Sequence, residues 1–188
     1  RGAMVPPGEY KFILTAKGQR AETTVKLLPN PLIKSVTDAD WTEQNAMLDK
    51  LTADIADVHG SINTMRKAKG QLNAQIETYK EVKGADTLVH EAERIVKSID
   101  EWESKVLETR FKGGQDMINY TSKLNSEFFS LYGYLDVPDP RVTAGARERL
   151  VDIEKQWAGE KAKLGPIKES IAKYNALVKA RQVDAIQY

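Results

Sequence analysis

Leu48-Asp49-Lys50-Leu51-Thr52-Ala53-Asp54-Ile55-Ala56-Asp57-Val58, continued by Ile62, Met65, Leu72, Ile76 and Tyr79, is the stretch on which the fold turns. Its apolar residues fall three and four apart in alternation, and Lys69 is the one interruption. Residues at that spacing share one face of an α-helix, so the stretch forms a continuous apolar seam that other helices must cover. Trp41 extends the seam at its start, and Asp38 or Asp40 is placed to cap the helix. At about 1.5 Å per residue, a helix from Asp40 to Val82 makes a rod of about 60 Å. Gly60 and Gly70 each cost about 1 kcal/mol relative to alanine, so packing must hold this rod together.

Working outward, Lys83-Gly84-Ala85-Asp86 reads as a turn, with Gly84 suited to the C′ position and Asp86 to an N-cap. The next seam is Leu88, Ala92, Ile95, Ile99, Trp102 and Val106, and so short a connection makes it an antiparallel neighbour of the first helix. Gly113-Gly114 stops the second helix. A third begins near Thr121 and shows Leu124, Phe128, Leu131 and Leu135 on one face, until Asp136-Val137-Pro138-Asp139-Pro140 ends it. Thr143 caps the last helix, whose apolar positions are Leu150, Ile153, Trp157, Leu164, Ile167, Ile171, Tyr174 and Val178, with a kink or break expected at Gly165-Pro166. The expected fold is mainly α, an elongated antiparallel helical bundle. The second and third helices together match the first or the last in length, so the bundle is either three rods with a broken middle one or four helices with a reversal near Gly113-Gly114.

The period changes at the N-terminal end. Tyr10, Phe12 and Leu14 alternate with Lys11 and Thr15, although Ile13 falls on the opposite face; after a turn at Lys17-Gly18-Gln19-Arg20, Thr23, Val25 and Leu27 alternate with Thr24 and Lys26. This pattern is a β-hairpin. Two strands bury too little apolar surface to offset their ordering entropy, so the hairpin must either pack on the helices or be the end of an Ig-like sandwich with earlier strands upstream. The second option is preferred. Pro29-Asn30-Pro31 closes the strand and divides the chain into a hairpin remnant, 1–31, and a helical bundle, 32–188.

Charge and composition narrow the function. Of 188 residues, 28 are Lys or Arg and 27 Asp or Glu, so the long-range field is weak, which argues against nucleic acid as the main partner. Arg66-Lys67-Ala68-Lys69 is read as a solvated helix face. With no cysteine there is no disulfide framework, thiolate metal site or cysteine nucleophile. No stretch approaches the roughly 20 apolar residues of a membrane span, and the start lacks the apolar region of a signal peptide. A chain that begins Arg1-Gly2-Ala3 is expected to be an excerpt of a longer protein.

Candidate chemistry is sparse. His59 and His90 are the only histidines, and neither has a second histidine at i+3 or i+4; both are expected at the helix surface. Asp100, Glu101, Glu103, Asp152 and Glu154 supply the carboxylates a glycosidase uses, but a bundle closed by heptad seams is expected to offer no concave floor between them. Trp102 and Trp157 fall on the seams and are expected to anchor the core, while Trp41 is free to wedge the β-module against the bundle. Asn119-Tyr120-Thr121 matches the glycosylation acceptor pattern. No catalytic, cofactor or metal site is assigned, and no cofactor is expected.

Pro7-Gly8-Glu9-Tyr10, Leu14-Thr15-Ala16-Lys17-Gly18-Gln19 and Pro29-Asn30-Pro31 together resemble the last strands of the Ig-like or fibronectin-like module that follows the β-propeller in bacterial BNR-repeat, sortilin-like proteins described as glycosyl hydrolases. Ile118-Asn119-Tyr120, Lys123-Leu124-Asn125, Leu131-Tyr132-Gly133 and Thr143-Ala144-Gly145 resemble the helical tail of the same proteins, with Thr121 where that family often has proline. The resemblance implies a non-catalytic C-terminal structural or interaction module of a larger exported protein, periplasmic or secreted, whose partners are the upstream domains of the same polypeptide. A self-associating or partner-binding helical module is the alternative, with a homo-oligomer as its product, and a glycan-acting enzyme a more distant one.

Overall fold

The computed structural model describes residues 2–181, apart from the side chain of Met117. Two strands, β1 (Gly8–Ala16) and β2 (Gln19–Leu27), precede the helices α1 (Asp38–Lys80), α2 (Asp86–Val106), α3 (Leu124–Leu135), α4 (Ala144–Ala162) and α5 (Leu164–Ala180), with one 3-10 turn at Asp116–Ile118. This is a mainly helical bundle preceded by an antiparallel hairpin. Since α4 and α5 are separated by Lys163 alone, the helices make four segments. The sheet has two strands and is not closed into a sandwich.

By internal contact the chain forms two compact units: Arg1–Ala53 with Ser130–Leu150, and Asp54–Phe129 with Val151–Tyr188. In the first, Met47, Leu48 and Leu51 of α1 are buried, as are Leu131 and Leu135 of α3, Val142, and Ala146 of α4. The Gln44 amide is buried and donates to the carbonyls of Leu135 at 2.7 Å and Val137 at 2.9 Å, closing the end of α3. The backbone N–H of Met4 donates to Asp136 at 2.7 Å, which ties the lead into β1 to the turn after α3. Arg147 of α4 forks onto Glu43 of α1 at 2.5 and 2.7 Å.

The second unit holds the longer part of the seam. Val58, Ile62, Met65, Leu72 and Ile76 of α1 are buried, with Leu88, Ala92, Ile95, Ile99 and Val106 of α2 and Ile153, Leu164 and Ile167 from the last rod. Lys69, the apparent flaw in the pattern, reaches Asp100 of α2, and Arg66 reaches Glu103 at 2.7 Å. Partners that rise along α1 as they fall along α2 make the two helices antiparallel, as the short turn between them requires. Trp102 and Trp157 are 4% and 5% exposed, and each satisfies its indole N–H: Trp102 on the Glu160 carbonyl at 3.0 Å, Trp157 on Asp57 at 2.7 Å. Trp41 is half-buried.

Several local expectations shift by a few residues for identifiable reasons. The N-cap of α1 is Thr37, not Asp38 or Asp40: the Thr37 backbone N–H and hydroxyl both donate to Asp40 at 2.7 Å, a reciprocal capping box. Those bonds lower the Asp40 carboxyl below its usual range. Asp86 is the first helical residue of α2, and Ala85, without a side-chain acceptor, sits at the cap. Gly84 has the left-handed φ of 80° expected after a helix. Thr143 caps α4, accepting from Ala146 N at 3.2 Å. The last rod breaks at Lys163, three residues before Pro166, because proline cannot donate to the carbonyl four residues back, at Ala162.

Residues 107–123 connect α2 to α3 around one buried carboxylate. Glu108, 7% exposed, takes Arg110 through Nε and Nη2 at 2.7 Å each, and the guanidinium lies over the Tyr120 ring at 4.2 Å. Arg110 holds the Glu108 carboxyl down to about 2.

Candidate functional site

The hairpin is built by its turn. Lys17 and Gly18 have φ of 49° and 76°, both positive, the type I′ geometry whose twist matches the strands it joins. The turn is therefore two residues long, and Gln19 and Arg20, read from sequence as part of it, already pair in β2. Nine residue pairs follow without a bulge, from Ala16 with Gln19 to Gly8 with Leu27.

This register sorts the side chains. Gly8, Tyr10, Phe12, Leu14 and Ala16 lie on the same face as Gln19, Ala21, Thr23, Val25 and Leu27; Glu9, Lys11, Ile13 and Thr15 share the other with Arg20, Glu22, Thr24 and Lys26. The second face is salt-bridged, Glu22 taking both Lys11 and Arg20. The first is mostly apolar, with Thr23 and Gln19 as its polar members; Tyr10 and Leu27 are half-buried, and the stretch between them is uncovered. Phe12 is 55% exposed, Leu14 68% and Val25 40%. At about 3.4 Å per residue along the strands and 4.8 Å between them, the whole face of the ribbon, its polar and half-buried positions included, measures roughly 30 by 10 Å, about 300 Å². Other apolar side chains are exposed as well, among them Leu32, Ile118 and Val151, but Phe12, Leu14 and Val25 stand together on one face of one element, which makes that face a candidate interaction site.

The charged candidates are arranged differently. His90 is exposed with Glu93 at 3.7 Å, while His59 is half-buried with its ring edge-on to Phe129 at 5.7 Å, so His59 is less superficial than its sequence context suggests. Among the described residues no group of three or more His, Cys, Asp or Glu stands close enough to hold a metal ion. Contrary to the expectation of no concave floor, an open groove of about 690 Å³ runs between α1 and α2, and Asp100 and Glu103 line it. Both carboxylates are already committed, to Lys69 and Arg66. Glu101 lines, with Asp100, a second open groove of about 500 Å³ between the same helices, and Asp152 and Glu154 line neither. Arg66 and Lys67 are solvated as expected, whereas Lys69 is half-buried through its pair. Asn119 and Thr121 are exposed.

Sequence alternation located the apolar face of the hairpin but not its exposure, because burial depends on neighbours in space. No helix among the described residues is long and apolar enough to cross a membrane. Comparison of the chain with protein-family models, with curated proteins and with solved structures returns no match.

Proposed function

We propose that this chain is a non-catalytic structural and interaction module of a larger exported propeller protein, and that the apolar face of β1 and β2 is its docking surface for neighbouring domains of the same polypeptide. One observation carries this: the large residues of the helical seams are mostly buried, yet Phe12, Leu14 and Val25 of the hairpin are open to solvent. Apolar surface left uncovered on one module is covered in the assembly for which it is built. The propeller context rests on the resemblance of the hairpin and the α3 segment to that family, and export follows from it.

The chain has no cysteine, so Leu14→Cys provides a single thiol on the face. Its labelling by a maleimide is expected to be at least about tenfold slower in the full polypeptide of the open reading frame than in the 188-residue chain. Equal rates would refute the docking role. The alternative, self-association, draws on the same exposed face. It predicts sedimentation that depends on concentration and is abolished by the pair Phe12→Lys and Leu14→Lys.

A further inference from the structure

Within the first unit, the end of α3 and the turn after it border a hollow of about 390 Å³. Its walls come from Tyr134 and Leu135 of α3, from Val137, Pro140 and Thr143 beyond them, and from Gln44 of α1. That volume lies within the range of about 300 to 1,000 Å³ in which small-molecule sites fall, and the make-up is of the same kind, mostly apolar and aromatic with few polar groups. Leu135 and Pro140 are buried, whereas Tyr134 and Val137 are 56% and 37% exposed and stand at the mouth.

Gln44 is the unusual member. It is 2% exposed, and its amide nitrogen donates to the Leu135 and Val137 carbonyls, which uses both of its N–H groups. Two acceptors on one side fix which way round the amide lies and leave Oε1 facing away from them. Among the described residues no donor is bonded to Oε1. Oε1 is not sealed in the core as the Tyr174 hydroxyl is, and Gln44 borders the hollow, so its carbonyl opens on that side. A carbonyl oxygen on so buried a side chain with no donor from the protein is uncommon, and it takes one from water or from a ligand.

The other polar groups of the wall are engaged. Arg141 forks onto Asp139, so the charges at the mouth cancel, and the Tyr134 hydroxyl lies 3.4 Å from that of Thr143. An anion would meet an acceptor at Gln44 and a guanidinium already paired. A full positive charge would give up its hydration to apolar walls in exchange for one neutral acceptor. A proline-rich segment has few N–H groups to offer. What fits is neutral, largely apolar and able to donate once, and phenol and indole rings combine these properties.

We propose that this hollow is a binding site for an aromatic ring that carries one hydroxyl or N–H donor, a phenol or an indole, with the donor on Gln44 Oε1 and the ring against Tyr134, Val137 and Pro140. The site is separate from the apolar face of the hairpin and does not rest on the docking role assigned to it.

Titration of the 188-residue chain with p-cresol, followed by NMR of backbone and side-chain amides, tests this. Shifts are expected at Tyr134, Val137 and Thr143 and at the Gln44 side-chain amide. Toluene, which has the ring without the donor, is expected to bind about tenfold more weakly because it leaves Oε1 unpaired, and 3-methylindole to regain that affinity. Tyr134→Ala removes an exposed wall and is expected to weaken p-cresol binding about fivefold with unchanged far-UV circular dichroism. Gln44→Leu also takes two donors from the end of α3, so the comparison of ligands decides in place of that variant. Equal affinity for toluene and p-cresol overturns the proposal, as do shifts confined to other parts of the chain. An absence of shifts up to about 10 mM of either ligand overturns it as well, and leaves water as the partner of Oε1. In the full polypeptide, p-cresol binding that persists identifies a free ligand as the occupant; binding that is lost, with the Gln44 amide already at its shifted position, identifies a tyrosine or tryptophan of a neighbouring module.

Discussion

Replacing Asp57 tests whether the buried tryptophans hold the helices by burial alone or through their one polar atom. Asp57 of α1 accepts from the Trp157 indole at 2.7 Å and from Lys161 at 2.7 and 2.9 Å, all within the second unit. In Asp57→Ala the indole N–H loses its acceptor in a part-buried site, where Trp157 is 5% exposed although the Asp57 side chain itself is 40% exposed. A buried donor left unpaired costs about 2 kcal/mol. The ion pair with Lys161 adds less, about 0.5 kcal/mol, because its side chains are 51% and 40% exposed and screened. The sum is about 2.5 kcal/mol, which for a chain of this size lowers Tm by about 5 to 10 °C. Lys161→Ala should cost only the smaller part. Asp57→Asn keeps an acceptor for the indole and should fall between. The assay is urea unfolding followed by tryptophan fluorescence and far-UV circular dichroism. A cycle with Trp157→Phe should return a coupling of about 1.5 kcal/mol. If Asp57→Ala costs no more than Lys161→Ala, the indole N–H is solvated after all and the argument from burial is refuted.

Other outcomes follow from single features. At Gly60 a Cβ would meet nothing within 4 Å, so Gly60→Ala should stabilise α1 by about 1 kcal/mol, read as a rise in Tm; a loss would show that the backbone there is approached by something else. Lys17 pays for a left-handed φ of 49°, so Lys17→Gly should slow amide exchange across the hairpin about fivefold, with no change expected in the helices. Arg110 holds Glu108 at about 2 against an ordinary 4.5; a carboxyl whose pKa is depressed in the folded state lends stability that is complete above about 4.5 and is lost as pH falls towards 2. The Tm difference between wild type and Glu108→Gln should therefore shrink across that window, and a difference independent of pH would contradict the pairing.

Much of this architecture is legible in the chain because it is local. The three-and-four spacing from Leu48 to Tyr79 needs only the helical period to announce a buried stripe, and the alternation from Tyr10 to Leu14 needs only the pleat of a strand. Helix ends were less legible. Thr37 captured the cap of α1 from Asp38 and Asp40 because capping is decided by which side chain reaches the free N–H groups, a matter of ångströms. The groove between α1 and α2 was invisible, since its walls come from residues about thirty apart whose side chains turn to meet.

Periodicity by itself determined that the chain is mainly helical, which residues face the core, and that an amphipathic hairpin precedes the bundle, because each of these depends on the repeat of side chains along one element. Only the tertiary structure decided that Lys69 meets Asp100, that the tryptophan indoles find Asp57 and Glu160, and that nothing among the described residues covers Phe12 and Leu14. Those outcomes depend on distances between segments far apart in the chain, and no rule of spacing along one element contains them.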